Sequence, residues 1–193
     1  MSNDFYAFIS RMKYIDRWAL MRNTEEESLT QHSYEVAVIA HALAVISNKR
    51  LGTNYDAEKV ALIGLFHDTS EILTGDMPTP VKYYSPEITS AYKKVEEAAT
   101  GKLLDMLPDD LRSEYEDLLL PAKEDEELWI LNKAADKISA LIKCIEERKA
   151  GNKEFDKALE ATEASIHKMN CEAAEIFIKE FLPSYELTLD QLK

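Results

Sequence analysis

The stretch Ser28-Leu29-Thr30-Gln31-His32-Ser33-Tyr34-Glu35-Val36-Ala37-Val38-Ile39-Ala40-His41-Ala42-Leu43-Ala44-Val45-Ile46 decides the fold class. Val36, Ile39, Ala40, Leu43 and Ile46 recur at spacings of three and four, which places them on one face of a helix. Ser28, with Gln31 three residues later, reads as a capping box that starts this helix. Gly52, after Asn48-Lys49-Arg50, marks its end. Its most apolar part, Val36 to Ile46, is interrupted by His41 and is shorter than the roughly 18 residues needed to span a bilayer.

The same signals continue outward. Asp56 is placed to N-cap a second helix whose apolar residues are Val60, Leu62, Ile63, Leu65 and Phe66. Gly75-Asp76-Met77-Pro78-Thr79-Pro80 breaks the pattern and predicts a structured loop. Helical signals resume near Glu87 and run to about Met106. Pro108 and Pro121 bracket a short helix, Asp109 to Leu119. A long helix from about Glu124 carries Leu128, Leu131, Ala135, Ile138, Ile142 and Ile145 on one face and stops at Gly151-Asn152. The last segment, Phe155 to Leu182, repeats the helical pattern up to Pro183. With no alternating strand of useful length, no repeat and no linker, the expectation is all-α, one domain over residues 1–193.

Composition narrows the function. Of 193 residues, 36 are Asp or Glu and 23 are Lys or Arg, for a net charge of −13. That balance argues against a nucleic-acid polymer as partner, because duplex or tRNA binding needs a basic face. A small phosphorylated ligand held by a few local cations is still allowed. Hydrophobic residues make up 46%, enough for a real core and too many for a disordered chain. The N-terminus has no apolar secretory segment, and Cys144 and Cys171 read as reduced buried thiols, so the expected address is the cytoplasm with no membrane partner.

Phe66-His67-Asp68-Thr69-Ser70-Glu71 carries the chemistry. An Asp at the end of an apolar helix face is expensive to bury unpaired. A divalent cation would resolve that cost, and imidazole with carboxylate suits Zn, Mn, Fe, Co or Ni better than Ca. Alone, a His-Asp pair is a weak signal, and an ordinary helix end with a solvated Asp explains it better. Three features change the balance. His32 opens a helix just before its apolar face. Asp136 borders the apolar stripe of the long helix, although Lys133 or Lys137 could pair with it. Glu71 follows Asp68 by three residues, so a continuing helix would place it on the same side. His32, His67, Asp68 and Asp136 together offer two nitrogens and at least two oxygens, leaving open positions for water and substrate.

A lone His, an adjacent His-Asp and a distant Asp on three helices resemble the HD-domain metal-dependent phosphohydrolases. Longer strings sharpen the resemblance: Arg17-Trp18-Ala19-Leu20-Met21-Arg22-Asn23, Gln31-His32-Ser33, and the run from His67-Asp68-Thr69-Ser70-Glu71 through Gly75-Asp76-Met77-Pro78-Thr79-Pro80 to Lys82-Tyr83. They are similar to the bacterial HD-domain 5′-deoxynucleotidases of the YfbR-like type, over nearly the whole chain. The resemblance implies a single HD-domain helical bundle and one divalent transition metal ion, Co²⁺, Mn²⁺ or similar. It implies His32, His67, Asp68 and Asp136 as ligands, with Asp68 and Asp136 also near the substrate. It implies Glu71 as the catalytic carboxylate and Arg17 as the group orienting the phosphate. Trp18 and the loop residues Asp76, Met77, Pro78 and Thr79 fall at substrate-binding positions. The implied reaction is hydrolysis of deoxyribonucleoside 5′-monophosphates to deoxyribonucleosides and phosphate by metal-activated water, in a cytoplasmic homodimer. Two other functions stand beside it: an HD hydrolase of another nucleotide phosphate ester, and a non-catalytic nucleotide-binding regulatory protein.

One departure is Gln31, where that family often has Glu before the first His. Other residues read as structural. His41 lies nine positions after His32, on the opposite helix face, so the expected site holds one metal. His167 is expected at the surface. Glu25-Glu26-Glu27 reads as a solvated loop. For Trp18 a core aromatic is the lesser alternative to a stacking or sugar contact, and Thr79 reads equally as a substrate contact or a loop residue.

Overall fold

Capping chemistry sets most element boundaries. The computed structural model describes residues 3–192, and among them the chain forms helices and turns with no strand. The helices are α1 (Phe5–Ile9), α2 (Leu29–Ile46), α3 (Ala57–Phe66), α4 (Glu71–Thr74), α5 (Thr79–Lys82), α6 (Pro86–Leu104), α7 (Asp109–Leu119), α8 (Glu126–Lys149), α9 (Asp156–His167) and α10 (Glu172–Glu180). Ser28 and Gln31 form the expected reciprocal capping box at the start of α2. Gln31 therefore does structural work next to His32, accepting from the Ser28 backbone N–H at 2.8 Å. Asp56 caps α3 through the Lys59 N–H at 2.9 Å. Beyond α2 the helix widens over Ser47–Leu51 and ends at Gly52, whose φ of +76° is the left-handed conformation glycine tolerates best.

Three expectations need correction. The terminal segment is two helices, because Asn170 takes φ +53° and turns the chain between α9 and α10. A single straight helix over Phe155 to Leu182 would be about 40 Å long and could not keep its whole apolar face on the core. The turn lets α9 pack on α8 while α10 packs on both α2 and α8. Second, the helix does not continue from His67 to Glu71. A tight turn intervenes, with Thr69 Oγ1 donating to the Phe66 carbonyl at 2.9 Å and the Glu71 N–H to the Asp68 carbonyl at 3.0 Å. Third, the Gly75–Pro80 loop is partly helical, since Thr79 opens α5.

The main core joins α2, α3, α8, α9 and α10. Leu43, Ile63, Ile138, Leu141, Ile142, Phe155 and Ile166 are almost completely buried there. Each such side chain contributes roughly 1.5–3 kcal/mol by leaving water. A smaller core gathers Phe5, Leu103, Leu104, Leu107 and Leu119 from α1, α6, α7 and the turn between α6 and α7. Within the main core α2 and α3 approach so closely at Gly64 that a Cβ there would lie 2.9 Å from the Ala37 Cα. That contact sets the distance between the helices that carry His32 and His67. Among the described residues no helix is long and apolar enough to cross a membrane. Both cysteines are buried free thiols.

Candidate active site

Three helix positions converge at one end of the main core. His32 sits in the first turns of α2, His67 caps the C-terminus of α3 with Asp68 next to it, and Asp136 lies midway along α8. The His32 and His67 rings are 5.3 Å apart, centroid to centroid. His67 Nε2 lies 3.1 Å from Asp68 Oδ2, and His32 Nε2 lies 3.6 Å from the same oxygen. Asp136 Oδ1 lies 3.1 Å from His32 Nε2 and 4.0 Å from His67 Nε2. His32, His67 and Asp68 form the tight group, with one donor atom each within 4.8 Å of the others. Asp136 joins it through His32.

Both Nε2 atoms are buried without a hydrogen-bond partner, as is Glu71 Oε2. Their carboxylate neighbours are close in distance but not in hydrogen-bonding geometry. Buried polar atoms are normally satisfied. Two bare imidazole nitrogens facing two carboxylates are a donor set that fits one first-row divalent ion.

The electrostatics express the crowding. Burial and the nearby Arg17 charge push the His32 imidazole down, more than Asp136 pulls it up. Burial also lowers His67, but Asp68 and Asp136 outweigh it and push its pKa up to about 9. Burial would raise both carboxylates, yet the imidazoles hold Asp68 well below its usual range and Asp136 at about 2. Glu71 goes the other way: burial, then the charges of Asp68 and Asp76, push it up to about 9.

Arg17 and Trp18 arrive by an unexpected route. Asp16 and Ser28 form an antiparallel bridge, with the Arg17 N–H donating to the Glu27 carbonyl at 2.9 Å and the Leu29 N–H to the Ile15 carbonyl at 2.8 Å. This pins Arg17 beside the start of α2. Glu27 is the residue missed from the sequence. It is not part of a solvated loop: its carboxylate accepts from Trp18 Nε1 at 2.9 Å, meets Arg17 Nη1 at 3.5 Å and lies 3.8 Å from His32 Nδ1. Glu25 and Glu26 are exposed, as expected. The loop that carries all three is anchored to α8, because Glu147 accepts from the Thr24 N–H at 2.9 Å and Lys143 donates to the Glu25 carbonyl at 2.6 Å. No pattern in the sequence announces those long-range bonds.

Trp18 holds φ +58°, rare for a bulky residue, and tilts against Phe155 at 5.3 Å. Asp76 faces this segment; burial raises its carboxyl, with Arg17 and the Trp18 backbone amide pulling against the rise. Met77 and Pro78 are half-buried and Thr79 is exposed. The carbonyls of Pro78 and Thr79 accept within α5, from Val81 at 2.8 Å and Tyr83 at 3.1 Å. His41 is exposed on the far side of α2, and His167 is exposed and paired with Glu175 at 2.7 Å.

Both site imidazoles are also held from behind. His67 Nδ1 donates to the Gly64 carbonyl at 2.8 Å. His32 Nδ1 lies 3.1 Å from Ser139 Oγ, and Ser139 lies 2.6 Å from Glu35 Oε2. Burial pushes Glu35 up to about 7, against the Ser139 bond that lowers it. Ser139 and Glu35 were likewise invisible in the sequence. The available hint is their spacing, three residues after Asp136 and three after His32.

A helical bundle with a His on one helix, His-Asp at the end of the next and Asp on a later one defines the HD-domain phosphohydrolase class. A Listeria innocua HD-domain phosphohydrolase has the same architecture, at TM-score 0.80 and 25% identity over 94% of this chain and 88% of that one. A cyanophage S-2L HD phosphohydrolase, bound to dA and one catalytic Zn²⁺ ion, shares the fold at TM-score 0.64 and 19% identity over 94% of this chain and 96% of that one. The family described as 5′-deoxynucleotidase YfbR-like matches residues 4–185, and the chain belongs to that family. A 5′-deoxynucleotidase of Vibrio cholerae serotype O1 is 46% identical over 97% of each chain. One of Photorhabdus laumondii is 43% identical over 97% of this chain and 95% of its own.

Proposed function

We propose that this chain is a metal-dependent 5′-deoxynucleotidase, hydrolysing deoxyribonucleoside 5′-monophosphates to deoxyribonucleosides and phosphate. The observation that carries the reading is the pair of bare, buried Nε2 atoms facing Asp68 and Asp136, with Arg17 alongside. His32, His67, Asp68 and Asp136 would hold the ion. When bound, a divalent ion polarises a phosphate oxygen and lowers the pKa of water towards neutrality. First-row ions such as Co²⁺ or Mn²⁺ suit a mixed nitrogen and oxygen donor set.

The protein's own groups do the rest. Arg17 takes two non-bridging phosphate oxygens with its planar fork, which a lysine cannot match. Its charge stays available because Glu27 and the neighbouring carboxylates keep it firmly protonated despite burial. Water oxygen bonds to phosphorus while the bond from phosphorus to the 5′-oxygen breaks. Glu71, whose raised pKa suits it to hold a proton near neutral pH, supplies that proton to the leaving 5′-oxygen, and the proton released by the attacking water leaves with the phosphate product or returns to Glu71. Asp76 accepts from a sugar hydroxyl, Trp18 closes the sugar side, and Met77, Pro78 and Thr79 shape the loop around it. A homodimer working in the cytoplasm completes the reading and rests on the family resemblance.

The test uses metal-stripped protein re-supplied with one divalent ion at a time, on paired deoxyadenylate and adenylate. Phosphate release from the deoxy substrate, dependent on Co²⁺ or Mn²⁺, is the expected result. Equal rates on both sugars would remove the deoxy assignment. Nucleotide binding with no release under any ion would turn the chain into a regulatory protein.

A further inference from the structure

Ser139 has one hydroxyl proton, and its neighbours determine where that proton goes. An ionised carboxylate only accepts hydrogen bonds. Ser139 Oγ, 2.6 Å from Glu35 Oε2, therefore donates to Glu35. Its oxygen is left to accept, and the group at 3.1 Å is His32 Nδ1. The ring proton of His32 is thereby held on Nδ1, and the Nε2 lone pair is bare towards Asp68 and Asp136. When the His67 ring is neutral, the Gly64 carbonyl at 2.8 Å selects the same tautomer by a different means, because a carbonyl can only accept from Nδ1.

We infer that Ser139 and Glu35 are positioning residues that hold His32 as the Nδ1–H tautomer, so that Nε2 is free to bind the metal ion. The inference rests on the proposed hydrolase reading, in which His32 is a ligand, and extends it to two side chains behind the site. A hydrogen-bonded partner on the far nitrogen orients a ligating imidazole and raises its basicity. Here the partner is a two-step chain rather than one carboxylate. Glu35 stands in the wall of a cavity of about 570 Å³, shared with Tyr34, Lys143, Glu146 and Tyr185. A change at Glu35 therefore alters the chain of hydrogen bonds without opening the core.

The experiment titrates Zn²⁺ into metal-stripped protein at a pH above the Glu35 value of about 7. Glu35→Gln and Ser139→Ala are expected to weaken Zn²⁺ binding by roughly ten- to a hundredfold. The amide of the Gln variant can donate to Ser139 as well as accept from it, so Ser139 is no longer bound to donate outward and the His32 proton is no longer held on Nδ1. Combining the two changes should cost no more than the larger alone, since they break one chain. Glu146→Gln removes the same charge from the same cavity wall and should leave affinity unchanged. In Zn²⁺-loaded wild type, NMR should show a His32 Nδ1–H protected from exchange, and Ser139→Ala should lose that protection. Wild-type affinity in Glu35→Gln would overturn the inference. Equal weakening by Glu146→Gln would also overturn it, by showing that only the net charge matters. Should Ser139→Ala fail to fold, Glu35→Gln on the cavity wall decides alone. Wild type that binds Zn²⁺ but releases no phosphate sinks the hydrolase reading instead, with the tautomer result intact.

Discussion

Glu71 and Asp68 are both carboxylates near the same imidazoles, yet their environments separate them. Asp68 touches His67 and stays ionised. Glu71 has one buried oxygen with no partner and a pKa of about 9. Two carboxyl groups driven apart in this way take different roles in acid–base chemistry. Glu71→Gln keeps the shape and removes the proton. We expect phosphate release to fall by about 10²–10⁴-fold. Zn²⁺ affinity of the stripped protein should stay near wild type. A large loss of affinity in that titration would make Glu71 a ligand. The cluster of the candidate site was legible at this scale where residue chemistry is improbable on its own: His67-Asp68 at an apolar helix end, and Asp136 bordering a core stripe. Glu27, Ser139 and Glu35 were not legible, because ordinary polar residues acquire their roles only from partners 9 to 107 positions away.

At the scale of elements, the spacing of α2 and α3 sets the distance between His32 and His67. Gly64 permits the close approach and its carbonyl orients His67. Gly64→Ala would place a Cβ against the Ala37 backbone and force the helices apart. Overpacking of this kind costs about 1–3 kcal/mol. The melting temperature should fall by roughly 3–10 °C, with weaker Zn²⁺ binding in protein that is still folded. An unchanged melting temperature would mean the two helices can slide without strain. Helix starts were legible from Ser28, Asp56 and Pro108, since caps act on the next three residues. The reversal at Asn170 was not, because the apolar period continues on both sides of it.

Across the whole molecule, α8 ties the site loop to the core. Glu147 is buried and accepts from Lys143, from the Thr24 backbone and from Asn152 at 2.8 Å. Burial alone would raise its pKa, but these bonds hold it well below the usual carboxylate range. A depressed folded-state pKa adds stability above the unfolded value of about 4.3, and that stability is lost as the pH falls below it. Glu147→Gln leaves Lys143 buried without its ion pair, which costs about 3 kcal/mol at neutral pH, or roughly 10 °C in melting temperature. The gap between variant and wild type should close as the pH drops below about 4; a constant gap would assign the effect to packing. Metal binding is a second global lever. Zn²⁺ at about a hundred times its Kd should add about 2.7 kcal/mol and raise the melting temperature by roughly 5–10 °C. His32→Ala should abolish that rise, and an equal rise in the variant would place the ion elsewhere.

What the sequence determined by itself is local: helix starts, helix faces, the Pro-rich loop and a handful of residues whose chemistry does not suit a bare core. These follow from interactions within a few positions along the chain, or from the cost of burying a charge. The tertiary structure alone decided which partners complete them. It brought Glu27 to Arg17 and Trp18, Ser139 and Glu35 to His32, and Glu147 to the site loop. The angles and distances of packed helices set those pairings, and no periodicity along the chain encodes which residues of two faces will meet.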